Sequence, residues 1–182
     1  TLAFSAIQNN DKIGVIFFSD KIEKYIPPKK GRKHILYIIR ELLDFTPQSN
    51  QTDISVALEF LSGVAKRHCT AFMMSDFYDR KSFLHPLTIS NRKHDVVAIQ
   101  VYDWWERKLP DVGLLKVRDA ESGYEQYIDT GSKKLRDLHQ RNWNNRQASL
   151  HEVFTKSNVD NVSIATDEDY VKQLMMLFRK RN

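Results

Sequence analysis

A single cysteine, Cys69, stands among 182 residues, so no internal disulfide can form, and the chain reads as one suited to a reducing, cytoplasmic setting. Long apolar runs are equally scarce. None approaches the roughly 20 residues that a helix needs to cross a bilayer, and the opening TLAFSAIQNN has neither the charged region nor the cleavage site of a signal peptide. The expectation is a soluble chain, with a membrane anchor upstream of residue 1 left open. The six histidines form no HxH or HExxH pair, which argues against zinc. There is no GxGxxG and no GxxxxGK followed by Ser or Thr, which argues against dinucleotide binding and P-loop ATP hydrolysis. No GxSxG elbow is present to carry a nucleophilic serine. Cys69 itself opens an apolar run and reads as a core thiol rather than a nucleophile. Internal repeats and low-complexity segments are also lacking.

What is present has the balance of a globular protein, with 41% hydrophobic and 28% charged residues. The length suits one domain, residues 1–182, with a sizeable core. The net charge of +5 raises the question of an acidic partner such as nucleic acid. The basic residues, however, are interspersed with 23 acidic ones, and their clusters, Lys29-Lys30-Gly31-Arg32-Lys33-His34 and Arg179-Lys180-Arg181, are short. They read as a solvated surface and a basic helix end, where cations complement the helix dipole.

Hydrophobic spacing then divides the chain. A helix at its start gives way at Asn9-Asn10-Asp11 to Ile13–Ser19, a continuous apolar run expected to be a central strand buried on both faces. Residues Ile22–Ile26 alternate and stop at Pro27-Pro28, as an edge strand would. Ile35, Ile38, Ile39, Leu42 and Leu43 predict an amphipathic helix over Arg32–Phe45, and Thr52 or Asp53 can cap another over Ile54–Lys66. Two further buried strands, Cys69–Met74 and Asp95–Tyr102, flank a helix near Ser82–Arg92. Beyond Pro110, Val112–Val117 and Tyr124–Ile128 predict a hairpin at a sheet edge, turning through Asp119-Ala120-Glu121-Ser122-Gly123. A long helix over Ser132–Lys156, a strand over Val159–Ile164 and a helix over Asp167–Arg179 close the chain. Buried strands separated by helices imply a mostly parallel sheet covered on both faces, a three-layer α/β fold.

Ligands of open α/β sheets bind outside the carboxyl ends of the strands. Ser19-Asp20, Ser75-Asp76 and Tyr102-Asp103 all sit where an apolar run leaves the sheet, and Thr52-Asp53 sits where a helix starts. Together they offer hydroxyl and carboxylate oxygens, hard ligands suited to Mg²⁺, Mn²⁺ or Ca²⁺. For each carboxylate alone a turn or cap role remains the competing reading. If they converge, two classes of function stay open: metal-dependent recognition, or Mg²⁺-dependent phosphoryl transfer using Asp20, Asp53, Asp76 and Asp103. Trp104-Trp105 is expected to pack the sheet edge under the hairpin.

The segments DKIGVIFFSDKIEKYIPPKKGRKHIL, QTDISVALEFL, FMMSDF, KHDVVAIQVYDWWERKLPDVGLLKVRDAESG and IATDEDYVKQLMMLFRKR, in this order, resemble the DUF58 family. The resemblance implies a Rossmann-like, von Willebrand factor A-like domain with a metal-ion-dependent adhesion site. Thr52 matches the threonine loop of such sites and Asp76 the aspartate, with Asp53, Ser75 and Ser19 as candidates for the layer behind them. The third element, an Asp-x-Ser-x-Ser segment, would precede residue 1, and with it the first central strand, whose absence would expose strand edges and favour association. The implied cofactor is a divalent cation, Mg²⁺ expected. The implied partner is a protein presenting an acidic residue, a MoxR-type AAA+ ATPase, with the chain as an adaptor in protein assembly or maturation. No enzymatic turnover, nucleic acid or small-molecule substrate is implied.

Overall fold

The structure is a computed structural model that describes residues 1–119 and 122–181. Its centre is a three-stranded parallel sheet of β3 (Thr70–Ser75), β4 (Asp95–Tyr102) and β7 (Asp160–Ala165), in the order β3-β4-β7. The β-branched and apolar run VVAI makes β4 the middle strand, and Val96 through Gln100 are all buried. Alternation along a strand sends neighbouring side chains to opposite faces. Val96 and Ala98 pack with Ile54 and Leu58 of α3 (Ile54–Val64), Leu87 of α4 (Leu84–Lys93) and Phe154 of α6 (Lys133–Ser157). Ile99 turns the other way, to Ile164 and to Leu174 of α7 (Tyr170–Arg181), with Leu2 of α1 (Leu2–Gln8) beside them. The expected parallel sheet with helices on both faces is therefore present. Arg181, in the basic run that ends α7, pairs with Asp95 and Asp160 at the amino ends of β4 and β7, which gives part of that charge a structural use.

The apolar run at the start of the chain takes a different place from the one expected. Among the described residues β1 (Ile13–Phe18) pairs only with β2 (Ile22–Lys29), antiparallel, in a separate two-stranded ribbon, and Phe17 is its one buried residue. Its inner face covers Ile38 of α2 (Arg32–Asp44) and Phe45, whose ring stacks on Phe17 at 4.7 Å. An apolar run alone cannot distinguish one covered face from two, because cross-chain pairing decides it. β2 also continues through Pro27-Pro28 instead of ending there. A proline lacks a ladder donor, but an outer strand needs none on its free side. Gly14 permits the ribbon to close: a Cβ there would lie 2.8 Å from the Ile26 carbonyl oxygen and 2.9 Å from the Pro28 nitrogen. In α2 the expected apolar stripe is only half used, since Ile35 and Ile38 are buried while Leu42 and Leu43 are exposed.

The hairpin of β5 (Leu114–Arg118) and β6 (Glu125–Asp129) forms, but it pairs with itself and not with an edge of the parallel sheet. Ala120 and Glu121 of its expected turn lie outside the described residues. The tryptophan pair lies in a short helix, α5 (Trp104–Arg107), and both rings are exposed, Trp105 at 51%. A capping box makes this helix: Asp103 accepts from the Trp105 N–H at 2.8 Å, and Glu106 accepts from the Asp103 N–H at 2.9 Å. Among the described residues no helix is long and apolar enough to cross a membrane.

Candidate functional site

The carboxyl end of β3 is shaped by its own sequence. The Ser75 hydroxyl accepts from the Phe77 N–H at 3.0 Å, and Asp76 Oδ1 accepts from the Tyr78 N–H at 3.0 Å, two side-chain turns in succession. Phe77 has φ +56°, a left-handed conformation costly for a bulky residue. It is held there because its ring is buried in the main core, edge-on to Phe154 at 5.2 Å. With Phe77 turned inward, Asp76 points out of the sheet and is exposed. Its carbonyl accepts from buried Gln100 at 3.4 Å, and Gln100 in turn accepts from Ser163 at 2.8 Å. A polar line across all three parallel strands thus fixes the backbone of the Asp76 turn. No ion pair engages the Asp76 carboxylate among the described residues.

A second group lies where three loops meet. Asp53 is 6% exposed; it caps α3 by accepting from the Ser55 N–H at 3.0 Å, and its own N–H donates to the Ser19 carbonyl at 3.0 Å. Its other carboxylate oxygen receives the Lys81 ammonium at 2.6 Å. Asp79 completes the cap, accepting from the N–H groups of Ile54 and Lys81, both at 2.8 Å. Lys81 holds the Asp53 carboxyl below its ordinary range, and Asp53 raises Lys81. The Ser19 hydroxyl, also buried, donates to Glu23 at 2.7 Å, and Glu23 receives the N–H groups of Gln48 and Ser49. Asp20 is held below its usual range, chiefly by a hydrogen bond from Ser49.

Of the residues singled out from sequence, Asp53 and Ser19 are thus brought into one network with Lys81, while Ser75 supports Asp76. Thr52 is half-buried in the loop ahead of α3. Asp103 is occupied as the cap of α5 and accepts from the Thr166 hydroxyl at 3.3 Å. Among the described residues no three His, Cys, Asp or Glu side chains converge closely enough to hold a metal, so Asp20, Asp53, Asp76 and Asp103 do not form one acidic cluster. Thr52 and Asp76 carry oxygen donors of the kind a hard cation takes, two of the roughly six or more that such an ion needs. Asp53 already has its cation, Lys81. Cys69 lies one residue ahead of β3, half-buried, with its thiol 3.5 Å from His94 Nδ1. Burial, then the charge of Asp95, pushes that thiol up, as an unreactive thiol requires.

Sequence reasoning passed over Lys81, Asp79 and Arg146. The spacing Asp76-Phe77-Tyr78-Asp79-Arg80-Lys81 carried a usable signal for the first two, since short-range Asp residues after a strand serve turns and helix starts. Arg146 carried none, lying in the middle of a long polar helix.

The fold resembles two solved structures: the conserved hypothetical protein BatB of Bacteroides thetaiotaomicron (TM-score 0.60, 12% identity, 99% of this chain and 84% of that one) and an aerotolerance-related membrane protein of Bacteroides fragilis (TM-score 0.59, 14% identity, 98% and 86%). In sequence, an uncharacterized protein of Mycobacterium bovis is 27% identical over 175 residues, 94% of this chain and 54% of that protein, with a Mycobacterium tuberculosis counterpart at the same values. The chain spans about half the length of these curated relatives. The family described as "Protein of unknown function DUF58" matches residues 1–149, and the chain belongs to that family.

Proposed function

We propose that the chain is a metal-ion-dependent protein-interaction module of the von Willebrand factor A-like kind. Thr52 and Asp76 supply oxygen ligands to a divalent cation, Mg²⁺ with Mn²⁺ or Ca²⁺ as substitutes, and the cation completes its shell with an acidic residue of a protein partner. The observation that carries this reading is Asp76 itself. It is an exposed carboxylate with no ion-pair partner among the described residues, aimed off the carboxyl end of the parallel sheet by a strained turn. A carboxylate kept only for the turn would not need a buried phenylalanine in a left-handed conformation beside it. The residues of this chain hold and aim ligands; nothing in the reading calls for turnover. The partner we propose is a MoxR-type AAA+ ATPase, with the chain as its adaptor in protein assembly or maturation, a role supported by the family resemblance.

Calorimetry of the full-length protein with MgCl₂ tests the cation, and capture of a purified MoxR-type ATPase tests the partner. The parent should bind Mg²⁺ saturably and retain the ATPase, and Asp76→Ala should lose both. A parent that binds no divalent cation, with capture unchanged in Asp76→Ala, would sink the reading.

A further inference from the structure

Beside the Asp76 turn, α6 contributes a cation whose bonding capacity is largely unspent. The Arg146 guanidinium carbon lies 4.9 Å from the centroid of the Tyr78 ring and 5.2 Å from that of Trp143. Trp143 is buried and packs on Tyr102 at 4.9 Å, so one of the two rings is anchored in the core. Two ring contacts restrict the guanidinium plane without consuming its N–H groups, which lie in that plane. An arginine has five such donors. Here one of them reaches the Asp76 carbonyl, and only at 3.5 Å. Glu106 Oε2 stands at 3.6 Å, near enough to attract and too far to accept a hydrogen bond. The other oxygen of Glu106 is committed to the cap of α5. The buried Nε has no hydrogen-bond partner among the described residues.

A purely structural arginine would be saturated by carbonyls or a close carboxylate, because leaving a buried donor unmade is costly. Arg146 is instead held rigid, 27% exposed, and short of acceptors. Of its two ring neighbours, Trp143 is buried and Tyr78 is exposed. Tyrosine, tryptophan and arginine are the residues that dominate the energetics of protein interfaces.

Resting on the reading of this rim as a protein-binding surface, we propose that Arg146 is a carboxylate-binding residue for an acidic segment of the partner, acting without a metal ion. A planar fork matches a carboxylate with two parallel N–H···O bonds. A phosphate fits less well, since it sets up to two negative charges on one group beside Asp76, Asp103 and Glu106, whereas each carboxylate of an acidic segment brings one and the rest can turn to solvent.

NMR of the full-length protein in excess EDTA, following the Arg146 Nε–H and Trp143 indole N–H signals, tests this with an acetylated tetraglutamate peptide. Tetraglutamine and inorganic phosphate are the controls. Tetraglutamate should shift both signals saturably while tetraglutamine does not, and phosphate should bind more weakly. Because a lysine keeps the charge but loses the fork, Arg146→Lys should weaken the peptide at least about tenfold. Tyr78→Leu, at an exposed ring, should weaken it with the fold intact. Equal shifts with tetraglutamine, tighter binding of phosphate, or unchanged affinity in both Arg146→Lys and Arg146→Gln would overturn the proposal. The metal reading separates cleanly. Peptide binding that appears only with Mg²⁺, vanishes in Asp76→Ala and persists in Arg146→Gln refutes the role of Arg146 and leaves the cation site standing. Binding in EDTA that depends on Arg146 and ignores Mg²⁺ and Asp76→Ala supports Arg146, and the cation site then stands or falls on the calorimetry alone.

Discussion

Replacing Asp53 by alanine removes the acceptor that caps α3 and the carboxylate that anchors Lys81, and the two losses can be weighed separately. Loss of an N-cap costs about 1 kcal/mol, with a range of roughly 0.5–2. The Lys81 side chain is 72% exposed, so water screens its half of the pair and the ion pair adds little beyond the cap. In a chain of this size about 1 kcal/mol lowers Tm by roughly 2–4 °C. Asp53→Asn isolates the charge, since asparagine caps a helix about as well as aspartate; it should melt between the parent and Asp53→Ala. The pH dependence has a definite sign. Asp53 titrates below its ordinary value in the folded state, so its contribution is present above the unfolded value of about 3.9 and is lost as pH falls through the lower folded value. Thermal melts by circular dichroism from pH 7 down to pH 3 should therefore show parent and Asp53→Asn converging at the acid end. If Asp53→Ala melts with the parent at pH 7, or if the gap between parent and Asp53→Asn widens on acidification, the account of this network is wrong.

Two other consequences can be checked. Burial, followed by Lys93 and His68, keeps the His94 imidazole reluctant to protonate, while the unfolded chain takes its proton near pH 6.5. Stability should fall as pH drops below about 6.5, and His94→Gln should flatten denaturant-unfolding midpoints between pH 7.5 and 5; an unchanged slope would show that His94 is not the group responsible. Among the described residues β3 is hydrogen-bonded to a strand on one edge only, and Met74 within it is 53% exposed. Such an edge favours pairing with another chain, so light scattering should find concentration-dependent association that Met74→Lys reduces, and a monomer at every concentration would refute it.

Most of the secondary structure was legible in the sequence because it rests on short-range causes. The helical spacing of Ile35 and Ile38, the cap at Asp53 and the apolar run of β4 each act within a few residues. The α/β class followed, since buried strands joined by helices leave few other arrangements. The position of β1 did not follow. Ile13–Phe18 and Asp95–Tyr102 look alike as apolar runs, yet one is half of an antiparallel ribbon and the other the middle of the parallel sheet.

The candidate site divides in the same way. Its placement at a strand end and a helix start follows from residues adjacent in the chain, whereas the outward set of the Asp76 turn also rests on Phe154, Gln100 and Ser163. Which cation stands beside which acceptor was decided only by the tertiary structure. Lys81 reaches Asp53 across 28 positions, and Arg146 reaches the Asp76 carbonyl across 70. A carboxylate's local sequence dictates its turn, whereas its electrostatic partner is whatever the packing of distant elements brings within a few ångströms.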